Sequence, residues 1–255
     1  MQVTEDVFAR QIWSADVDGP KPVVDRVERV RQRTGRRIKV KIDRLFQGTH
    51  GYEVYDMLRD LDYDVFNDAK LAEIPSKLEE LARLEIAKSK PWMLNCMAGD
   101  LSSGLAEAPK RNDLDGLKRF AEVCLEHDVR PCAVTVLTSK KPHIVKLEFN
   151  GRAAFEQVLF YVEYLVEFGF TDVVCSPQEA TVIREHFGPE AIDLDCPGVR
   201  LPGSDARDQA RVTTPGQALA NGATRIVSGS DITGADDPAV AVEAIAENMR
   251  PYVAA

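Results

Sequence analysis

A carboxylate, an ammonium group and a second carboxylate stand close together in residues 68–75. Asp68 and Lys70 are two positions apart, and Glu73 follows three positions later. On a β-strand, residues two apart share a face, so Asp68 and Lys70 would point the same way where a strand ends. Opposite charges this close favour each other's ionised form. The segment predicts a site that binds or stabilises charge, and the alternative is a solvated cluster of ion pairs.

Strand-like apolar runs alternate with amphipathic patterns along the chain. The predicted strands are 11–15, 38–42, 64–67, 92–96, 130–136, 172–175, 191–195 and 225–228. The predicted helices are 23–32, 51–61, 75–88, 113–127, 153–168, 179–187, 214–220 and 239–249. Eight β–α alternations without a linker predict an α/β fold, a (β/α)8 TIM barrel with residues 1–255 as its single domain. A doubly wound open sheet is the alternative, but no Gly-x-Gly-x-x-Gly turn follows the first predicted strand.

In such a barrel the carboxyl ends of all strands meet at one mouth, where barrel enzymes place their active sites. The predicted strand ends would bring together Asp16, Lys41, Asp68, Lys70, Asn95, Ser139, Ser176, Gly198 and Gly229. The charged segment therefore has neighbours with which it could form a site.

Composition limits the class of protein. The formal net charge of −9 argues against a nucleic-acid partner, whose binding site would need a basic face. No apolar run approaches the length of a membrane span, and the first six residues lack the pattern of a signal peptide. The five cysteines are never closer than eight positions, so we expect neither a zinc site nor a disulfide framework. These features predict a cytoplasmic protein that does not bind a membrane.

Several segments together match the pattern of one barrel family. Residues 66–75 resemble its F-x-D-x-K-x-x-D-I-P signature, and residues 134–139 and 173–180 resemble its fifth and sixth strands. Residues 197–200 and 208–215 resemble its seventh-strand loop, and Gly229 with residues 232–233 and 237–238 resembles its eighth-strand phosphate site. The chain thus resembles the orotidine 5'-phosphate decarboxylases, which remove CO2 from the pyrimidine ring of a nucleotide without metal or organic cofactor.

The resemblance implies a role for each matching position. It implies that Lys41, Asp68 and Lys70 form a catalytic charge network in which Lys70 protonates the ring carbon as CO2 leaves. Lys39, on the same face of its strand, is the alternative to Lys41. Glu73 stands where the family has an aspartate that completes the site across a dimer interface. The implied substrate-binding residues are Asp16, Lys39, Ser139, Pro197, Arg200, Gln209, Gly229 and Ser230.

The chain departs from the family pattern in three places, one of which is that Ser76 and Lys77 replace the asparagine and threonine that usually follow the signature. The family has an arginine after the eighth-strand glycine, where it binds the 5'-phosphate, whereas Ser230 and Asp231 follow Gly229 here. Losing such a charge-assisted hydrogen bond costs about 1.5–3 kcal/mol, and Asp231 would repel an anion. Glu73 replaces an aspartate, which moves the carboxylate by about 1 Å, and such a misplacement can cost about a hundredfold in rate.

The sequence therefore predicts a homodimeric, cofactor-independent carboxy-lyase that acts on a pyrimidine nucleotide or nucleoside. Three alternatives stay open. The first is a paralogue whose ligand lacks the 5'-phosphate, and the second is a metal-dependent sugar-phosphate lyase of the same barrel superfamily. The third is a nucleotide-binding protein without turnover. Sensitivity to a chelator would identify the second, and binding without CO2 release the third.

Overall fold

Eight parallel strands form a closed barrel in the computed structural model, which describes residues 6–99, 115–203 and 213–253. The strands are β1 Gln11–Ser14, β2 Lys39–Asp43, β3 Val65–Leu71, β4 Met93–Met97, β5 Arg130–Val134, β6 Asp172–Val174, β7 Asp193–Pro197 and β8 Arg225–Ser228. Each strand pairs with the next along the chain, and β8 pairs with β1. The predicted barrel is confirmed; the extent of the domain, 1–255, stays a prediction.

Helices connect the strands on the outside of the barrel. They are α1 Pro20–Thr34, α2 Arg44–His50, α3 Glu53–Asp60, α4 Pro75–Ser89, α5 Asp115–Glu126, α6 Pro142–Glu148, α7 Ala154–Glu167, α8 Pro177–Phe187, α9 Pro215–Ala220, α10 Ser230–Thr233 and α11 Pro238–Met249. A 3₁₀ turn, Arg250–Tyr252, follows α11. The pattern predicted α9 but none of the other short helices α2, α6 and α10, whose four to seven residues show little helical periodicity. No helix in the described ranges is long and apolar enough to cross a membrane.

Apolar side chains pack on both sides of the barrel wall. The larger core lies between the strands and the surrounding helices, where Val23, Val27 and Val30 of α1 are buried at helical spacing. A smaller cluster, which includes Phe66 and Met93, fills the barrel interior. The filled interior is a packed core rather than a pore, so a ligand must bind above it.

Charged side chains close the amino-terminal end of the barrel. The Arg225 guanidinium donates to Asp195 Oδ1 at 2.6 Å and to Asp193 Oδ2 at 3.1 Å, and it is also paired with Asp172. Arg130 Nε donates to Asp172 Oδ2 at 2.8 Å. Because the side chains of Asp172 and Asp195 are fully buried, these arginines are needed to balance their charge.

Strand β3 extends further than the sequence predicts. It runs through Leu71, and its register with β4 shifts between Asn67 and Leu71. At Lys70 the backbone φ is +46°, a left-handed conformation that is uncommon for residues other than glycine. The predicted start of the next helix at Pro75 is confirmed by α4. The irregular strand keeps both Asp68 and Lys70 at the barrel mouth.

Candidate active site

A cavity of about 380 Å³ lies at the carboxyl ends of the strands. It is lined by Ser14, Asp16, Lys41, Phe66, Asp68, Lys70, Val134, Val136, Leu137, Thr138, Val174, Pro197, Gly198, Arg200, Val227, Gly229 and Ser230. The volume is in the range of small-molecule sites, and apolar walls with a few convergent polar groups are typical of such sites. The cavity is therefore the candidate active site.

Two lysines hold one carboxylate at the β2–β3 side of the cavity. Asp68 Oδ2 lies 2.5 Å from Lys41 Nζ and 2.6 Å from Lys70 Nζ. The other oxygen, Asp68 Oδ1, accepts a hydrogen bond of 2.7 Å from the Asn95 side-chain amide. Both oxygens of Asp68 are thus engaged, and the three charged groups together carry one net positive charge.

Asp68 is ionised in this setting. Its side chain is only 6% exposed, and burial by itself would raise the pKa of the carboxyl group. The positive charges of Lys41 and Lys70, with their hydrogen bonds, outweigh burial and lower the pKa of Asp68 to about 2. At neutral pH the site therefore presents a fixed carboxylate between two ammonium groups.

Asn95 positions both Asp68 and Lys70. Its side-chain oxygen accepts a hydrogen bond of 2.7 Å from the backbone N–H of Lys70, while its amide nitrogen donates to Asp68. Asn95 is fully buried and is not among the cavity-lining residues. The bond to the Lys70 backbone stabilises the left-handed conformation there, and strained backbone of this kind is often found at functional sites.

A buried polar network supports β3 from outside the barrel. Asn67, fully buried, accepts from Gln47 at 2.7 Å and donates to Glu85 at 2.9 Å and to Ser89 at 3.0 Å. These bonds join the strand to α2 and α4 immediately before Asp68. This network was not predicted from the sequence, where its signal is a set of polar residues at apolar positions of β3 and α4.

The β1 side of the cavity carries Asp16. Ser14 Oγ donates to Asp16 Oδ1 at 3.3 Å. Partial desolvation raises the pKa of Asp16, and the charge of Lys41 opposes that rise. A Cβ atom at Gly229 would lie 3.3 Å from Asp16 Oδ2, so β1 and β8 approach closely here.

The β7–β8 end contains an arginine beside a carboxylate. Arg200 Nε lies 3.9 Å from Asp231 Oδ1, and Arg200 Nη1 donates to the Val199 carbonyl at 2.9 Å. The side chains of Arg200 and Asp231 are 10% and 14% exposed. Arg200 Nε and Ser230 Oγ are buried and have no hydrogen-bond partner among the described residues.

Most of the predicted site residues lie together. Those that line the cavity are Asp16, Lys41, Asp68, Lys70, Pro197, Arg200, Gly229 and Ser230. Gln209 lies outside the described residues. Three others, Lys39, Ser139 and Glu73, do not line the cavity.

Lys39 faces the amino-terminal end of the barrel. Its ammonium group pairs with Asp64 at 2.6 Å and lies 4.5 Å from the centre of the Trp92 ring. Two residues of strand separate Lys39 from Lys41 by roughly 6.6 Å, which is enough to take it out of the mouth. The placement of Lys39 therefore does not support substrate binding and favours Lys41 as the lysine of the site.

Ser139 and Glu73 both point elsewhere. Ser139 is exposed, and its neighbour Thr138 lines the cavity instead. Strand β5 ends at Val134, and once a chain leaves a strand its side-chain alternation no longer predicts direction. Glu73 is exposed after β3, and its carboxylate accepts from the backbone N–H of Ile74 at 3.2 Å.

The described ranges hold no group of three or more histidine, cysteine or acidic side chains that could bind a metal ion. The site's charged groups are instead lysines, an arginine and separate carboxylates.

Comparisons with known proteins agree in fold and in sequence. The model of the orotidine 5'-phosphate decarboxylase / HUMPS family matches residues 10–245. An orotidine 5'-phosphate decarboxylase of Moorella thermoacetica is 38% identical over 196 residues, which are 76% of this chain and 74% of that protein. One of Cutibacterium acnes is 33% identical over 94% of this chain and 96% of its own length. The crystal structure of the Lactobacillus acidophilus orotidine 5'-phosphate decarboxylase superimposes with a TM-score of 0.74 at 24% identity, covering 94% of this chain and 99% of its own.

Proposed function

Because the chain belongs to the orotidine 5'-phosphate decarboxylase / HUMPS family, we propose that it releases CO2 from the ring of a pyrimidine nucleotide or nucleoside, without metal or organic cofactor. The observation that carries the proposal is the ionised Asp68 between Lys41 and Lys70 in the barrel mouth. This cluster has the two kinds of group that the reaction needs, a fixed anion and a nearby acid.

The fixed anion acts on the substrate's own carboxylate. A ring carboxylate bound next to Asp68 would meet a like charge, and this repulsion disappears when the carboxylate leaves as neutral CO2. The electron pair of the broken carbon–carbon bond stays on the ring carbon, where Lys41 and Lys70 stabilise the negative charge. Preorganised charges act most strongly where water is excluded.

The acid completes the reaction. Lys70 Nζ donates a proton to the ring carbon, which leaves a neutral amine that regains its proton from solvent. The Lys70 side chain is 42% exposed, so solvent can reach it. Asn95 holds the Lys70 backbone so that the ammonium group stays on the cavity side of β3.

Removing the acid tests the proposal, and the chain offers a matched control. Lys70→Ala is expected to lower CO2 release by at least about a hundredfold, in line with the loss of general acid catalysis. Lys39→Ala removes a lysine from β2 outside the cavity and is expected to keep near wild-type turnover. A Lys70→Ala enzyme that retains most of the wild-type rate would contradict the proposed role.

We also propose a homodimer in which Glu73 completes the partner's site. Glu73 is exposed, and the neighbouring Ile74 and the α2 residue Leu45 expose 60% and 78% of their surface. Both apolar side chains follow neighbouring strands at the mouth end of the barrel, and their exposure supports an interface there.

Subunit mixing tests the shared site. Glu73→Ala and Lys70→Ala chains are each expected to be nearly inactive, and mixing them is expected to restore activity, because one site of a mixed dimer would be intact. A mixture that stays inactive after subunit exchange has been verified by mass spectrometry would place the whole site within one chain.

We also propose that the protein is cytoplasmic and that its ligand is a small molecule. All five cysteines are buried and free, which supports a reducing compartment such as the cytoplasm. The net charge of −9 supports a small-molecule ligand rather than nucleic acid.

A further inference from the structure

The β7–β8 end of the cavity carries its own balanced charge. Arg200, nine-tenths buried, lines the cavity, and the Asp231 carboxylate lies 3.9 Å from its Nε atom. Asp231 is itself largely buried, so solvent screens this attraction less than at the surface. The positive charge of Arg200 is therefore substantially compensated before any ligand arrives.

The described part of the cavity lining is balanced in the same way. The charged side chains of its described lining, taken together with Asp231, are Lys41, Lys70, Arg200, Asp16, Asp68 and Asp231. These are three cations and three carboxylates. The net positive charge lies at the β2–β3 side, where two lysines face one aspartate. That side suits a ligand carboxylate, whereas the residues described at the β7–β8 side, with their neighbour Asp16, offer no surplus of positive charge.

Hydrogen-bonding capacity at this end also discriminates between ligands. Arg200 can only donate, the carboxylates of Asp16 and Asp231 can only accept while ionised, and Ser230 can do both. A phosphate monoester carries about −1.5 to −2 charges at neutral pH and presents acceptor oxygens. It would accept hydrogen bonds from Arg200, but the carboxylates of Asp16 and Asp231 would repel its negative charge. A hydroxyl group can accept from the arginine and donate to a carboxylate, so it suits the mixed set.

We infer that the β7–β8 end, formed by Arg200, Ser230 and Asp231, selects a neutral, hydroxyl-bearing sugar end over a phosphate dianion. The substrate is then a pyrimidine nucleoside carboxylate rather than its 5'-phosphate. This inference rests on the proposed decarboxylase function and specifies its substrate class. Asp231 is the specificity-determining residue, because its charge cancels that of Arg200.

Binding of the reaction products tests the inference without turnover. Calorimetric titration of the wild-type protein with uridine and with uridine 5'-monophosphate is expected to show at least about tenfold tighter binding of uridine, a difference of about 1.4 kcal/mol. CO2 release is measured in parallel from orotidine and from orotidine 5'-phosphate, and orotidine is expected to have the higher kcat/KM.

A substitution that removes only the charge of Asp231 tests whether that charge sets the ligand preference. Asp231→Asn keeps the side-chain shape and frees the charge of Arg200, so it is expected to shift the preference toward uridine 5'-monophosphate by at least about tenfold. Asp236→Asn is the matched control, since Asp236 is exposed, lies five residues on and lines a different surface groove. It is expected to leave the preference unchanged.

The outcomes separate this inference from the proposed function. Tighter binding and faster turnover of the phosphorylated ligands by the wild type would overturn the inference and leave the decarboxylase intact. Equal shifts from Asp231→Asn and Asp236→Asn would also overturn it, because the effect would then be one of overall charge. Neither binding nor CO2 release with either pair of ligands would overturn both proposals.

Discussion

The strongest electrostatic feature of the site is the depressed pKa of Asp68, and it predicts a pH-dependent stability that Asp68→Asn should remove. Burial works against ionisation, but the two lysines lower the pKa from 3.8 to about 2. A shift of that size corresponds to about 2.5 kcal/mol of stability at neutral pH. Because the Asp68 side chain is 6% exposed, solvent screening reduces this figure little.

The lowered pKa of Asp68 determines how the free energy of unfolding changes with pH. A carboxyl group whose pKa is lower in the folded state stabilises the fold above its unfolded pKa, and this contribution is lost as the pH falls through the folded pKa. The free energy of unfolding in urea, compared between wild type and Asp68→Asn, should therefore differ by a constant amount above pH 5. The difference should shrink by about 2 kcal/mol between pH 5 and pH 2, where the folded-state carboxyl group is half protonated, and by about 2.5 kcal/mol once the pH lies below both pKa values.

Asp64→Asn is the control for this measurement. Asp64 also pairs with a lysine, Lys39, at 2.6 Å, but its side chain is 48% exposed, and exposed pairs contribute roughly 0–1 kcal/mol. Its difference curve should be nearly flat. If the Asp68→Asn curve is equally flat, Lys41 and Lys70 do not hold Asp68 ionised and the electrostatic reasoning fails.

Two further substitutions test the supports of the site and of the barrel. Asn95→Leu should lower the free energy of unfolding by about 1–3 kcal/mol in urea titrations, because it leaves the partly buried Lys70 N–H and one oxygen of the buried Asp68 without their partner. Unchanged stability and turnover would exclude a positioning role. Arg225→Met should cost about 3–5 kcal/mol in the same assay, since the fully buried Asp195 loses its arginine while Asp172 keeps Arg130. A loss below about 1 kcal/mol would show that the Asp195 carboxyl group is protonated.

The barrel and most of the lining residues were predictable because their signals are local. Alternating apolar runs specify parallel strands with intervening helices, and the carboxyl ends of such strands converge whatever the loops do. Asp68 and Lys70 could be assigned to one face from the two-residue period of a strand. The position of Lys41 is explained in the same way: it lies on the same face of β2 as Lys39 but nearer the carboxyl end of the strand, at the barrel mouth.

The rest depends on contacts that no local pattern encodes. The left-handed backbone at Lys70 depends on Asn95, which lies 25 residues further along the chain. The direction of Thr138, rather than Ser139, is set by the loop after β5, where strand alternation no longer holds. The 3.9 Å approach of Arg200 Nε to Asp231 Oδ1 brings the segment after β7 next to α10, and no local sequence pattern predicts this contact.

The central claim is that Lys70 protonates the ring carbon that loses CO2, and product analysis in D2O tests it most directly. Orotidine and orotidine 5'-phosphate, labelled with ¹³C in the carboxyl group, are incubated with wild type and with Lys70→Ala and followed by NMR. The account predicts labelled CO2 and bicarbonate together with a pyrimidine product carrying deuterium at the former carboxyl position, from wild type and not from Lys70→Ala. An unchanged carboxyl signal with both substrates, or equal deuterated product from Lys70→Ala, would contradict it.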